Sequence, residues 1–362
     1  MTHIQQNAII CIAAGPSQLP LILSAKKLGY IVIAIDKDPT SIGLKYVDHF
    51  IQKSTYSFDD ILSDLSNLKE KYNITGVLNR SSGLPVIVAS KISEYFQIPS
   101  LSSENASKIV HKYKLRESSP PTIPSPEFKI IKKGDVNNDF EFDFPFIVKP
   151  SLSLIGKSGV TFVKGKKDIN QAINLASKAT MDQVILIEEF LPGKDYSLIS
   201  LVSNSKLLPI CFLEEINEIN PNDGIISGKG FKTISDLKDD QLINEAHQLA
   251  KEFINHYKII RSPLLINFRQ DKEGKLRLIE VHLDFGGDLL IEGFYPVALS
   301  YDFLEVALKV MTGVDVPHLS DYVKPTAILF NEGNSINRKK GFKTLSADTE
   351  EQLAQKITKA GT

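Results

Sequence analysis

The chain has 362 residues, enough for two or three packed domains at about 150 residues each. Its 42 Lys and Arg against 43 Asp and Glu leave a formal net charge of −1, and 42% hydrophobic with 23% charged residues is an ordinary globular composition. This excludes a disordered tail, a collagen-like chain and a disulfide scaffold, and gives no electrostatic reason to expect nucleic acid or an anionic membrane as partner.

The first third alternates strand and helix. Ala8–Ala14 is an apolar strand closed by Gly15-Pro16, Gln18–Leu28 has helical apolar spacing, and Tyr30–Ile35 is a buried strand ending at Asp36. Phe58–Tyr72 reads as a helix, Gly76–Leu78 as a short strand and Leu84–Phe96 as a helix. Such alternation predicts a doubly wound parallel sheet, with a ligand crevice near Gly15, Asp36 and Asn79–Gly83. The two cysteines, Cys11 and Cys211, lie in apolar runs and read as reduced core thiols, which fits a cytoplasmic compartment. The N-terminus has no basic region and too short an apolar run for a signal peptide, and no stretch reaches the ~18–20 residues of a membrane span.

A helix over Ala106–Glu117 leads into Ser118–Pro126, where four prolines in seven positions mark a stiff connector and a domain boundary. Beyond it the segments Phe146–Lys149, Val160–Val163, Val184–Glu188, Ser197–Val202, Leu208–Leu213, Leu264–Phe268 and Leu276–Val281 read as strands, several joined by hairpin turns such as Asp271–Gly274. Helices over Asp168–Lys178 and Asp240–His256 cover them, giving an α+β unit built on antiparallel sheets. Thr344–Gly361 pairs a strand with an amphipathic helix, Glu350–Ala360.

Three segments carry chemistry. Lys149 ends a strand beside the Gly/Ser-rich loop Ser151–Gly159, an arrangement suited to phosphate, though an ordinary glycine hairpin with a solvated lysine reads the same; the spacing is not that of a Walker A loop. In Val184–Ser197, strand alternation puts Glu188 and Glu189 on opposite faces, so one can face a ligand; two solvent-facing acids are the plainer alternative. In the hairpin Leu264–Asp288, Asn267 and Arg269 share one strand face and Glu280 and His282 share a face of the partner strand. That set can hold Mg²⁺ or be a cross-strand polar pair, and Gly286-Gly287 would let backbone approach an anion.

The order of these segments resembles the ATP-grasp superfamily, from about Ala8 to about Gly313. The N-terminal AAGPSQLPLILSAKKLGYIVIAIDKDP resembles its preceding α/β domain, and HKYKLRE (His111–Glu117) its DKYxxRE signature; FIVKP, ILIEEFLPGKDYSL and LIEVHLDFGGD complete the series. The resemblance implies an ATP-grasp fold after an N-terminal parallel-sheet domain, with divisions at 1–105, 106–125 (connector), 126–195 (small subdomain), 196–325 (large subdomain) and 326–362. It implies that Lys112 and Lys149 meet nucleotide phosphates under a loop of Gly156, Lys157, Ser158 and Gly159. Glu188, Glu189, Phe190 and Leu191 would form the adenine hinge, with Asp195 near the ribose. Asn267, Glu280 and His282 would stand at the metal positions. The usual Glu-x-Asn reads Glu280-Val281-His282, and Asp284 stands where Arg is usual.

The expected function is therefore an ATP- and Mg²⁺-dependent ligase joining a small carboxylate to an amine through an acyl phosphate. Lys149, Glu280 and Arg269 carry the chemistry, Arg269 by holding the carboxylate or acyl phosphate. Arg80, Ser81, Ser82, Arg269, Asp284, Gly286 and Gly287 are the substrate candidates, and the loops Asn79–Gly83, Glu214–Lys232 and Asp284–Tyr295 the expected seats of specificity. The resemblance leaves a homodimer open. The altered metal motif supports a rival, a weakened ATP-grasp protein that only binds nucleotide. The strand–Gly15–helix–strand–Asp36 pattern supports another, an NAD(P)-dependent oxidoreductase, but the second and third glycines of GxGxxG are absent.

Overall fold

The computed structural model describes residues 5–132, 142–153, 156–234, 241–287, 289–316, 318–331 and 341–360. Asp240, Asp288, Gly361 and residues 154–155 of the glycine loop lie outside the described residues. The opening segments form a parallel sheet of β1 (Asn7–Ile12), β2 (Ile31–Asp36), β3 (His49–Gln52) and β4 (Asn73–Asn79), ordered β3-β2-β1-β4. β1 and β2 are apolar at consecutive positions because both sheet faces are covered, and each has five successive buried residues. Helices Leu19–Lys27 and Leu84–Tyr95 carry proline in their first turns, where a missing N–H is harmless. β3, absent from the sequence reading, has four residues and only Ile51 fully buried, too little for an alternation signal. The helix expected over Phe58–Tyr72 is a 3₁₀ turn, Asp59–Ile61, followed by the helix Leu62–Lys71.

Residues 106–117, expected as one helix, belong to two: Ser103–Val110 and Lys112–Ser118. Ser102 caps the first, its Oγ accepting the Asn105 N–H at 3.2 Å. The chain turns at His111 (φ −87°, ψ 111°), whose Nδ1 pairs with the Ser107 carbonyl at 2.8 Å. This side-chain bond competes with continuation of the helix. The new helix starts at Lys112, so Lys112 and Arg116, four residues apart, share one face. The proline-rich segment follows, its Pro124 carbonyl accepting the Leu278 N–H at 2.7 Å.

A second, antiparallel sheet comprises β5 (Phe128–Lys132), β6 (Phe146–Pro150), β7 (Thr161–Val163) and β8 (Val184–Glu189), ordered β5-β8-β6-β7, with helix Ile169–Ala179 packed on it. A third sheet comprises β9 (Asp195–Ser203), β10 (Lys206–Ile219), β11 (Ile226–Thr233), β12 (Ser262–Gln270), β13 (Leu276–His282), β14 (Thr326–Phe330) and β15 (Phe342–Ser346). Its order is β13-β12-β9-β10-β11-β14-β15, antiparallel throughout. Residues 214–232 are thus mostly a hairpin rather than the loop expected: β10 runs on past Leu213 and pairs with β11. Helix Gln241–Tyr257 covers one face of the third sheet through Ala246, Ala250, Phe253 and Tyr257. The other face shares a core with the first sheet and its helix, joining Leu21 and Ile22 to Ile199, Leu201, Leu308 and Val310. Helix Glu350–Ala360 closes the described chain.

The tip of the β10–β11 hairpin touches the second sheet. The Gly224 carbonyl accepts the Phe162 N–H at 2.8 Å, and the Val160 carbonyl accepts the Ile226 N–H at 3.4 Å. Gly224 has φ +71°, and a Cβ there would lie 2.1 Å from the Phe162 oxygen, so only glycine fits. The second and third sheets therefore face each other across a cleft bridged at one end. Among the described residues no helix is long and apolar enough to cross a membrane, and Cys11 and Cys211 are free and buried.

Candidate active site

The cleft between those sheets, counted with its open mouth, holds about 930 Å³ of free space. Lys149 and Glu188 are the penultimate residues of β6 and β8, and both line the cleft near those strand ends. Alternation separates the two glutamates as expected: Glu188 is 2% exposed and Glu189 is exposed. Glu188 is fully engaged, its Oε2 lying 2.6 Å from Lys149 Nζ and its Oε1 3.0 Å from Arg116 Nε. Burial alone would raise the Glu188 pKa, but the Arg116 and Lys149 charges hold it below the usual carboxylate range. Burial pushes Lys149 down, incompletely offset by Glu188, to about 8. Arg116 Nη2 donates to the Ile279 carbonyl at 2.7 Å, while its buried Nη1 has no hydrogen-bond partner among the described residues.

Lys112 and Glu280, expected as phosphate lysine and metal carboxylate, form an ion pair of 2.6 Å. Burial would raise the Glu280 pKa, but Lys112 and His282 bring it down to about 2. The register sets Asn267 opposite Glu280 and Leu265 opposite His282. His282 Nε2 is 3.9 Å from Glu280 Oε2, and Asn267 Oδ1 accepts the Ser197 hydroxyl at 2.9 Å. The three expected metal residues thus converge. They supply one carboxylate and one amide oxygen, and no cluster of three or more Asp, Glu, His or Cys side chains suited to a metal occurs among the described residues. That donor set fits a hard cation whose other positions are filled by water and ligand phosphates, not an all-protein cage.

Arg269, expected at a substrate carboxylate, lines only this first cavity. Its Nε donates to the Leu191 carbonyl at 2.6 Å, its Nη1 pairs with Asp195 Oδ2 at 2.7 Å, and its guanidinium lies 5.1 Å from the Phe190 ring centre. The reason is the hinge itself, which offers a carbonyl, a carboxylate and an aromatic face within one guanidinium's reach. Phe190 also packs on Phe162, ring centres 4.5 Å apart. From the glycine loop, Gly156 and Lys157 reach the cavity, with Lys157 Nζ 3.0 Å from Glu215 Oε2 and also bonded to Asn217. Ser158 and Gly159 line neither cavity, and Gly159 packs against Ala176 and Ala179.

A second cavity of about 1060 Å³ adjoins the first. Gly156, Lys157, Glu215, Asn267 and Glu280 line both and form their common wall. Ser82, His282, Asp284, Gly286 and Gly287 line the second. Arg80 and Ser81 do not. Arg80, with a side chain 1% exposed, forks onto Glu292 at 2.6 and 2.8 Å and donates to the Gly286 carbonyl at 3.0 Å and the Ser17 carbonyl at 2.8 Å. Ser81 Oγ accepts from Gln18 at 3.2 Å. Nor do Gly15 and Asp36 line either cavity. Asp36 is buried and accepts from Ala14 N, Ser41 Oγ and Asp38 N at 2.8, 2.9 and 3.0 Å.

The sequence reading missed Ser197, Glu215 and Asn217 and gave Arg116 no role. Ser197 Oγ donates to Glu215 Oε1 at 2.6 Å, and Asn217 Nδ2 donates to Asp195 Oδ2 at 2.8 Å. Burial would raise the Glu215 pKa, but Lys157 and these donors lower it. Polar residues at alternate positions, Glu215 and Asn217, continuing the apolar strand that ends at Leu213, were the available signal.

The sequence profile of the ATP-grasp domain matches residues 142–292, which contribute most of the walls just described. A formate-dependent phosphoribosylglycinamide formyltransferase of Prochlorococcus marinus (strain MIT 9515) is 23% identical over 258 residues, covering 69% of this chain and 63% of that protein. Its counterpart in Prochlorococcus marinus subsp. pastoris is 27% identical over 261 residues, covering 68% and 63%. The chain thus spans less than two thirds of these relatives' length. Among solved structures, an ADP complex of an N5-carboxyaminoimidazole ribonucleotide synthetase superposes with TM-score 0.76 at 16% identity, over 99% of this chain and 98% of that one. An L-amino acid ligase from Bacillus licheniformis gives 0.71 at 16% identity, over 91% and 81%. At these identities the likeness establishes the fold. Residues 142–292 thus match the ATP-grasp domain, within a chain whose overall fold is that of these structures.

Proposed function

We propose that the protein is an ATP-dependent ligase that activates a small carboxylate as an acyl phosphate and passes the acyl group to an amine. The observation that carries this reading is the common wall of two cavities. One is lined by a strand-end hinge and buried lysines, the other by substrate-sized space, and charged groups lie between them. A nucleotide in the first cavity would place adenine along Glu189–Leu191 and its phosphates toward Lys112, Lys149 and Lys157. The Leu191 carbonyl is already taken by Arg269, so other hinge backbone groups would read the base.

In the first step a carboxylate oxygen attacks the γ-phosphorus, the bond to the β-phosphate oxygen breaks, and ADP departs. In the second an amine nitrogen attacks the acyl carbon, phosphate leaves with the bonding electrons, and an N–H proton passes to that phosphate. Lys112 and Lys149 offset the charge spread over the transferring phosphoryl group, and Glu188 with Arg116 fixes the position of Lys149. Asn267 and Glu280, with His282 beside them, would hold Mg²⁺, which when bound supplies further charge neutralisation at the phosphates. The free, buried cysteines support a cytoplasmic setting.

An oxidoreductase reading is disfavoured because the Asp36 carboxylate, needed for a ribose, is buried in its own turn. The test is ADP release from MgATP with pooled carboxylates and amines. Turnover that needs both co-substrates supports the ligase. Nucleotide binding without co-substrate-dependent turnover supports the rival nucleotide-binding role.

A further inference from the structure

The second cavity has an unusual charge balance. Its described lining includes Glu215, Glu280 and Asp284 but only one lysine, Lys157, and no arginine. Lys157 is paired with Glu215, and Glu280 with Lys112. Arg80, the nearest candidate for reading an anion, is turned onto Glu292 and the Gly286 carbonyl. Asp284 is different. It is 5% exposed and accepts only neutral donors, the Ser82 hydroxyl and the Gly286 N–H, each at 2.8 Å. No Lys, Arg or His nitrogen among the described residues lies within ion-pair distance of it. Beside polar groups that include His282, the cavity is also lined by apolar Ile199, Leu213, Phe231, Leu265, Leu290 and Phe330.

A buried carboxylate without a cation is costly, and a ligand that brings the cation relieves that cost. We infer that the second cavity selects an apolar primary amine, its nitrogen docked on Asp284 and Ser82 and its hydrocarbon body against those apolar side chains. The same lining disfavours a phosphorylated ligand such as a sugar phosphate, which would face three carboxylates with no arginine in the described lining. This names the amine class for the ligase proposed above and rests on that reading for its role in catalysis, but its binding is measurable without turnover.

The experiment is calorimetric titration of the full-length protein with 3-methylbutylamine, 2-phenylethylamine and ribose 5-phosphate. The expected result is binding of both amines, weakened about tenfold or more by Asp284→Asn because the charged partner of the ammonium is removed, and no binding of ribose 5-phosphate. Phe330→Ala, which enlarges the cavity without touching Asp284, shifts preference toward the larger amine. Tighter binding of ribose 5-phosphate than of either amine would overturn the inference. So would unchanged amine affinity in folded Asp284→Asn. Should that variant not fold, Phe330→Ala decides, and unaltered size preference counts against the assignment. Failure of the ligase reading is separate: it appears as no ADP release with any co-substrate, whatever the amine titrations give.

Discussion

Glu188 places one buried carboxylate between two cations, Lys149 at 2.6 Å and Arg116 at 3.0 Å. Removing its charge in Glu188→Gln leaves both cations buried without an anion, so a loss of about 3–5 kcal/mol is expected in urea unfolding. Added MgATP should recover part of it, because a phosphate replaces the missing anion. Lys149 gives a pH prediction. Its pKa in the folded protein, about 8, is below that of an unfolded lysine, so without nucleotide the ammonium is lost as pH rises through 8. Phosphates would draw the proton back. Nucleotide affinity should therefore fall between pH 7 and 9, with proton uptake measurable by calorimetry in buffers of different ionisation enthalpy. Strand alternation was enough to separate Glu188 from Glu189 in the sequence. It could not reveal that Arg116, seventy-two positions earlier, would be the second cation, because that meeting depends on the turn at His111.

At the scale of elements, β10 and β11 carry the common wall. The hairpin was legible only as far as Leu213, where apolar residues gave way to Glu214, Glu215 and Asn217 that resemble a polar loop. They remain a strand because β11 pairs with β10 through Ile219, β9 pairs with it as far as Glu215, and the cleft supplies polar partners. Segments with strong periodicity, such as Ile31–Asp36 and Gln241–Tyr257, were read nearly to their ends. The short edge strand His49–Gln52 and the helices around Tyr295 and Phe303 were not. The hairpin tip at Gly224 yields a prediction. Gly224→Val places a Cβ against the Phe162 oxygen, now 2.1 Å from that position, and strains φ +71°. The contact between the second and third sheets should open, weakening nucleotide binding about tenfold or more, with a loss of global stability of about 1–3 kcal/mol. Parallel nucleotide titration and urea unfolding separate the two effects.

Across the whole molecule, the first sheet is fastened to the third by a common core and by Arg80. Its fork onto Glu292, on the π-helical turn Leu290–Phe294, holds the Gly286 carbonyl and so shapes the second cavity from behind. A strand-end arginine next to serines looks like a ligand contact in sequence. Only the tertiary structure reveals that its partner lies 212 positions away. Arg80→Leu should cost about 1–3 kcal/mol, the range for leaving a buried polar partner unsatisfied. Thermal unfolding should remain a single transition, since the shared apolar core is untouched.

The central claim is that the cleft between the second and third sheets is a nucleotide site held by Lys149. Calorimetric titration of MgATP into the wild-type protein and into Lys149→Ala tests it most directly. One site per chain is expected in the wild type, with affinity lowered at least about tenfold in the variant. Absence of binding to the wild type, or equal affinity in both proteins, would contradict it.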